Sequence, residues 1–207
     1  MGSRDGQLER FACLLAAAVH DYEHRGVTND FLVRTRDGLA LRYNDRQVNE
    51  QHHAAAAWNV LRRPECDFLR SWDLGDYRRV RSLVVSLVLG TDIADGGALL
   101  RAFTEALEAA DLAGSVAFTP PGEKEVVLLL QVAMRCADLG HLALNWETHT
   151  QWVQRLEKEF FAQGDREKAM GLQPISFLMD RDLPGASKTQ VGFLEAVALP
   201  LFRSLAR

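Results

Sequence analysis

Apolar residues recur along the chain with the spacing of amphipathic helices. From Leu8 onward they fall at i, i+3, i+4 and i+7, which predicts a first helix running to about His20. Similar stretches follow at intervals through the rest of the sequence. Further helices are predicted near Val48–Leu61, Tyr77–Leu89, Gly97–Ala110, Glu123–Ala137, Trp146–Ala169 and Ser187–Leu205.

Residues that interrupt helices separate these stretches. Proline, glycine and aspartate mark the breaks at Arg63-Pro64, between Asp92 and Gly97, at Pro120-Pro121-Gly122 and at Asp182-Leu183-Pro184-Gly185. No segment shows the sustained alternation, rich in Val, Ile and Thr, that is typical of strands. The pattern therefore predicts an all-α fold, in which residues 1–207 form a single compact multi-helix domain with short loops.

Composition and charge narrow the class of protein. With 207 residues, 47% of them hydrophobic, the chain is long enough to bury a core. A formal net charge of −4 leaves no basic footprint, so nucleic acid is not an expected partner. Three scattered cysteines favour a reducing compartment. The longest apolar runs are too short for a membrane segment, and charged residues flank Phe11–Val19, so we expect a cytoplasmic protein.

The first candidate for chemistry is the segment His20-Asp21-Tyr22-Glu23-His24. On a helix, His20 and His24 share one face, and the adjacent Asp21 carboxylate is able to bridge two divalent ions. The alternative is a helix C-terminus, where histidines interact favourably with the helix dipole. These residues alone leave both interpretations open.

Two further groups have the same character. Asp138, close to His141, follows a strongly apolar helix and is either a turn residue or a ligand brought beside His20 by folding. Glu50, with His52 and His53, stands at the start of an alanine-rich helix and is either a cap or part of a site. Each group alone is weak evidence.

Together, the order and context of these groups resemble class I cyclic nucleotide phosphodiesterases. The family pattern is H-D-x-x-H-x-G-x-x-N with an aromatic residue soon after. It is matched by His20, Asp21, His24, Gly26, Asn29 and Phe31. Later matches run from Glu50-Gln51-His52-His53 through Thr91-Asp92, Cys136-Ala137-Asp138-Leu139 and 159–165 to Thr189-Gln190-Val191-Gly192-Phe193, and together they span about residues 11 to 203.

The resemblance implies a metal-dependent hydrolase of cAMP or cGMP that releases a nucleoside 5′-monophosphate. His20, Asp21 and Asp138 match three ligands of a zinc ion, and Asp21 also matches the bridge to a second ion, magnesium or manganese. The same two aspartates are therefore expected beside the substrate phosphate.

The remaining site residues are also assigned by the resemblance. His24 matches a catalytic residue that contacts the metal-bound waters, and Thr91 belongs to the surroundings of the metals. Glu50 matches the carboxylate that orients the general acid. Gln190 resembles the glutamine whose amide hydrogen-bonds the purine edge, and Phe193 resembles the aromatic that stacks on the base. Without the surrounding motif, Phe193 would be interpreted as a core residue and Gln190 as a surface residue.

Some family features are not matched. The family carries Y-H-N-x-x-H upstream of H-D-x-x-H, and residues 1–19 contain no histidine. We therefore expect that this chain is the later part of the catalytic domain, without the general acid and one zinc ligand, and that its activity is impaired. Gly96 stands where a histidine is common, and Gly140-His141 where an S-N pair is usual.

Two other functions stay open. One is a non-enzymatic regulatory module that retains the nucleotide pocket or pairs with an intact partner. The expected macromolecular assembly is a homodimer. The other is a different metal hydrolase with an H-D pair, which fits His20 and Asp21 but not 189–193. The choice between cAMP and cGMP is open, although 20–44 is most similar to the calmodulin-regulated, dual-specificity subfamily.

Overall fold

Helices make up the regular structure of the computed structural model, which describes residues 4–112, 120, 122–173, 175–183 and 186–206. No strand occurs among these residues, so the all-α prediction is confirmed. The α-helices are α1 (Arg4–Val19), α2 (Asn29–Arg34), α3 (Gly38–Arg42), α4 (Val48–Leu61), α5 (Leu74–Leu89), α6 (Gly96–Leu112), α7 (Glu123–Asp138), α8 (Trp146–Ala169), α9 (Ala186–Phe193) and α10 (Leu199–Leu205).

The predicted last helix, Ser187–Leu205, is interrupted. A π-helical segment, Leu194–Ala198, separates α9 from α10, and Pro200 lies in the first turn of α10. Proline has no backbone N–H to donate, so the regular hydrogen-bond ladder cannot run through this point.

Helices α2 and α3 were not predicted. They have six and five residues, too few for a periodic pattern to show. Each begins with a side-chain cap: the side chain of Thr28 accepts a hydrogen bond from the N–H of Phe31, and that of Asp37 accepts one from Leu39.

Helix α5 is the centre of the main core. Its apolar face packs with α1, α4 and α7, and full burial of each such side chain stabilises the fold by roughly 1.5–3 kcal/mol. The face consists of Val80, Leu83, Val84, Leu87 and Val88, all at most 1% exposed.

Helix α7 connects this core to a second one. Met134 packs in the α5 core, whereas Val132 and Cys136 pack with Phe103 of α6 and Leu201 of α10. A third cluster joins α2, α3 and the start of α4. Because both sides of α7 are packed, the position of Asp138 at its C-terminal end is fixed by the core.

Among the described residues, no single helix is long and apolar enough to cross a membrane. Helix α5 and the segment Ile93–Leu112 meet the length and composition criteria only as a pair bent by 83°.

Gly164, near the C-terminal end of α8, lies against the backbone of the following loop. A Cβ atom there would come within 1.9 Å of the Met179 carbonyl oxygen, so the helix and the loop approach closely only because residue 164 has no side chain.

We expect Gly164→Ala to lower the free energy of unfolding by about 1–3 kcal/mol, because the loop or the helix must shift to admit the methyl group. The measurement is the urea midpoint at constant m-value. Gly192→Ala is the matched control: Gly192 is also helical, but no described atom lies within 4 Å of its Cβ position. An equal loss in both variants would contradict the role of the close contact.

Candidate active site

The end of α1 and the end of α7 meet at His20. The imidazole is half-buried, and its Nε2 lies 3.2 Å from Asp138 Oδ1 and 3.5 Å from Asp21 Oδ2. The predicted convergence of His20 with Asp138 is therefore confirmed. We call His20, Asp21 and Asp138 the His-Asp cluster.

The orientation of the His20 ring follows from its second nitrogen. Nδ1 lies 3.0 Å from the carbonyl oxygen of Ala17, and because a carbonyl only accepts, Nδ1 is the donor. Nε2 is then the nitrogen that faces the two carboxylates. The hydrogen bond with Asp138 is the largest of the effects that raise the pKa of His20 to about 9, while burial opposes it.

Helix α4 holds the turn that contains Asp21. The buried His53 lies with Nδ1 2.7 Å from the carbonyl oxygen of Tyr22, to which it donates, and with Nε2 3.9 Å from Asp21 Oδ1. Burial lowers the pKa of His53, which favours the neutral ring. The neighbouring His52 contacts Glu23, with 2.8 Å between Nε2 and Oε2. Glu23 has a φ of 64°, so these contacts stabilise a turn that is strained for a side chain.

His24 lies at the exposed end of the same turn. Its Nδ1 accepts a hydrogen bond from the N–H of Gly26 at 3.1 Å, and its ring centroid is 5.6 Å from that of His53. The ring is thus fixed beside the His-Asp cluster, while its contact with metal-bound water stays a prediction.

Glu50 is half-buried in the first turn of α4. Its Oε2 accepts a hydrogen bond from Asn29 Nδ2 at 2.9 Å. Burial raises the pKa of Glu50, the charges of Asp92 and Asp21 add to this effect, and the bond from Asn29 opposes it. Its role in orienting a general acid stays a prediction.

The turn after α5 brings Thr91 into the same region. Thr91 is buried and its hydroxyl donates to the carbonyl oxygen of Val88 at 2.7 Å. The buried guanidinium of Arg135 donates to the carbonyl oxygens of Gly90 and Asp92, at 3.0 and 2.7 Å. Arg135 thereby fixes the backbone on both sides of Thr91.

Arg135 also explains why residue 96 is glycine. A Cβ atom at Gly96 would lie 2.6 Å from Nη2 of Arg135, so the guanidinium occupies the space that a side chain at this position would need.

His141, the other departure, pairs with a second histidine. Its Nδ1 lies 3.3 Å from Nδ1 of His149, and its ring stacks with that of Trp152 at 5.9 Å between centroids. Burial, and then the charge of His149, lower the pKa of His141. Gln190 and Phe193 lie half-buried in α9, and their base-binding roles stay predictions.

The side chains of the His-Asp cluster, one imidazole and two carboxylates, are of the types that bind divalent metals. Two ligands bonded at about 2 Å to one ion lie roughly 3 Å apart, which is close to the spacings around His20 Nε2. However, the described part of the chain contains no group of three or more His, Cys, Asp and Glu side chains already arranged around a metal position.

The fold and the cluster define an all-α domain with the donor types of a divalent-metal hydrolase. The family model described as 3′5′-cyclic nucleotide phosphodiesterase matches residues 6–207, and the chain belongs to this family. The family resemblance of the sequence is therefore confirmed, and the family uses divalent metals in general.

Curated relatives of this chain carry names of the same family. The mouse dual specificity calcium/calmodulin-dependent 3′,5′-cyclic nucleotide phosphodiesterase 1C is 38% identical over 200 residues, which cover 96% of this chain and 27% of the relative. The probable 3′,5′-cyclic-AMP phosphodiesterase pde-4 of Caenorhabditis elegans is 36% identical over 199 residues, which cover 96% of this chain and 29% of the relative.

A solved structure shows the same fold. The phosphodiesterase domain of the RhoPDE fusion protein from the choanoflagellate Salpingoeca rosetta superposes with a TM-score of 0.88 at 30% identity. The superposition covers 97% of this chain and 62% of that structure. The chain thus spans about a quarter of the length of these curated relatives, and under two thirds of the solved domain.

Several residues of the site were not assigned roles by sequence reasoning. His53 and Gln163 were noted only as parts of matched segments and Arg135 carried no signal, because each acts through a partner far away in sequence. Only their buried positions and their hydrogen-bond partners identify them.

Proposed function

We propose that this chain is the later part of a catalytic domain that hydrolyses cAMP or cGMP to the nucleoside 5′-monophosphate, with zinc and either magnesium or manganese as cofactors. The observation that carries the proposal is the approach of His20 Nε2 to the carboxylates of Asp21 and Asp138. These are the residues that the family pattern assigns to the metals. Cytoplasmic location and homodimer formation stay predictions.

The chain's own residues would prepare the site for the reaction. His20, Asp21 and Asp138 would hold the metals, with the bond from Nδ1 to Ala17 orienting the His20 ring. When bound, divalent ions activate a water and neutralise the charge that grows on the phosphate. The side chain of Asp21 is 66% exposed, so its carboxylate is accessible to an ion shared with substrate.

Glu50 and His24 would act next to the leaving oxygen and the metal-bound waters. The raised pKa of Glu50 and its fixed bond to Asn29 suit a carboxylate that orients a proton donor for O3′. At the other end of the substrate, Gln190 would bond the purine edge and Phe193 would stack on the base. An amide both donates and accepts, so Gln190 suits adenine or guanine.

The test compares this chain with a joined protein, in which the upstream part of the Salpingoeca rosetta phosphodiesterase domain precedes residue 4. We expect the unextended chain to hydrolyse either nucleotide about 10²–10⁴ times more slowly than the joined protein does. Among its described residues, three are candidate metal ligands, and none is assigned as the general acid. The measurement is release of 5′-AMP and 5′-GMP in zinc and magnesium, with Asp21→Ala in the joined protein as the control.

Fast turnover by the unextended chain would contradict this expectation. It would indicate that His52, His53 or His141 serves as the general acid or as the fourth zinc ligand. No turnover by the joined protein would instead favour the regulatory module.

A further inference from the structure

A buried amide of α8 clamps the residue that caps α2. Gln163 is 3% exposed. Its Oε1 accepts from the N–H of Thr28 at 2.8 Å, and its Nε2 lies 3.1 Å from the Thr28 hydroxyl oxygen. The same Nε2 donates to Glu167 Oε1 at 2.7 Å and lies 3.0 Å from Met179 Sδ. With partners at both ends, the amide has one orientation.

The clamp holds a residue next to the candidate site. Asn29 follows Thr28 directly, and both ends of its side chain are engaged. Asn29 Oδ1 accepts from the N–H of Asn49 at 2.8 Å, and Nδ2 donates to Glu50 Oε2 at 2.9 Å. The side chain of Asn49 in turn donates to the carbonyl oxygen of Val27 at 2.9 Å.

The bond from the N–H of Asn49 to Asn29 also satisfies a backbone donor at the start of α4. Asn49 lies in the first turn of α4, where an N–H has no acceptor within the helix, so Asn29 supplies it. The start of α4 is therefore held against residues 27–29, and Glu50 is located in that same turn.

We infer that Gln163 is a positioning residue for Glu50, acting through Thr28 and Asn29. Glu167 orients the amide, and Arg34 lies 3.6 Å from the other oxygen of Glu167. The catalytic consequence rests on the proposed function, because Glu50 orients a proton donor only if the site hydrolyses phosphate esters. A displacement of about 1 Å in such a group costs on the order of 10²-fold in rate.

The alternative is that Gln163 serves only to join α8 to the loop before α2. Its replacement would then loosen Thr28 but leave the Asn29 side chain on Glu50 and Asn49. The two cases differ at the N–H of Asn49, which Gln163 does not touch.

The test is amide hydrogen exchange in the 207-residue chain carrying Gln163→Met, which keeps the length of the side chain and removes its polar atoms. We expect the N–H of Asn49 to exchange at least about tenfold faster than in the parent, relative to core amides of α5 that report global opening. The side-chain amide resonances of Asn29 should also move.

Gln131→Met is the matched control. Gln131 is likewise a helical glutamine whose Nε2 donates to a distant backbone carbonyl, that of Ser86 in α5, at 2.8 Å. This variant should leave Asn49 exchange unchanged. If Gln163→Met does not fold, Gln163→Asn keeps an amide and draws it back by one methylene, and the same two signals are read.

Unchanged exchange at Asn49 in a folded Gln163 variant would overturn the inference. In the joined protein, the inference further predicts a kcat about 10–100-fold lower with little change in KM, and an unaltered kcat would equally contradict it. If the parent joined protein shows no turnover, the proposed function fails, while the exchange result still decides whether Gln163 positions Glu50.

Discussion

In the joined protein, Asp21→Ala should reduce hydrolysis of cAMP and cGMP by at least about 100-fold, and by more than Asp138→Ala does. Loss of a residue that merely supports a metal ligand costs about 10–100-fold, so loss of a ligand should cost no less. Asp21 is the larger loss because it is proposed to contact both ions, whereas Asp138 contacts one. The measurement is kcat/KM at saturating zinc and magnesium.

Asp5→Ala is the control for this pair of variants. Asp5 is an exposed carboxylate in the first turn of α1, at the end away from His20, so its removal tests the effect of losing a negative charge outside the His-Asp cluster. Its turnover should equal that of the parent. A greater loss in Asp138→Ala than in Asp21→Ala would contradict the shared role of Asp21.

The second large effect concerns stability. Arg34→Met should lower the free energy of unfolding by about 3–5 kcal/mol, because it leaves the buried carboxylate of Glu167 without its cation. The Glu167 side chain is 2% exposed, its Oε2 has no hydrogen-bond partner among the residues that the structure describes, and the guanidinium of Arg34 lies 3.6 Å from it. The measurement is urea unfolding followed by far-UV circular dichroism.

The double variant Arg34→Met with Glu167→Gln separates two causes. It removes the buried charge together with its partner, so most of the lost stability should return. A loss that stays in the double variant would show that packing of the Arg34 stem, and not the unpaired charge, stabilises this part of the chain.

The long helices could be predicted from the sequence because their patterns are long. Helices α4 and α8 begin and end at the predicted residues, and α5 begins earlier than predicted because Asp73 caps it and accepts from the N–H of Asp76. The break before α10 was not predicted, because the apolar residues keep a helical spacing on both sides of Pro200. Proline is also common at the first positions of a helix, so it did not by itself indicate a break.

The candidate site was predictable only in part. His20 and Asp138 could be placed together by the family resemblance, since neither periodicity nor spacing relates two residues so far apart in sequence. The supports of the site were not predictable, because a buried His53, Arg135 or Gln163 has a meaning only through its partner. Gly96 shows the same dependence: its small size is explained by the Arg135 guanidinium above it.

Metal binding by the His-Asp cluster is tested most directly by locating zinc in crystals of this chain grown with millimolar zinc and magnesium. We expect an anomalous difference peak at the zinc edge about 2 Å from His20 Nε2 and from one oxygen each of Asp21 and Asp138. Crystals of Asp138→Ala should lose or weaken that peak. A peak at the His141–His149 pair instead, or none at the His-Asp cluster, would contradict zinc binding by His20, Asp21 and Asp138.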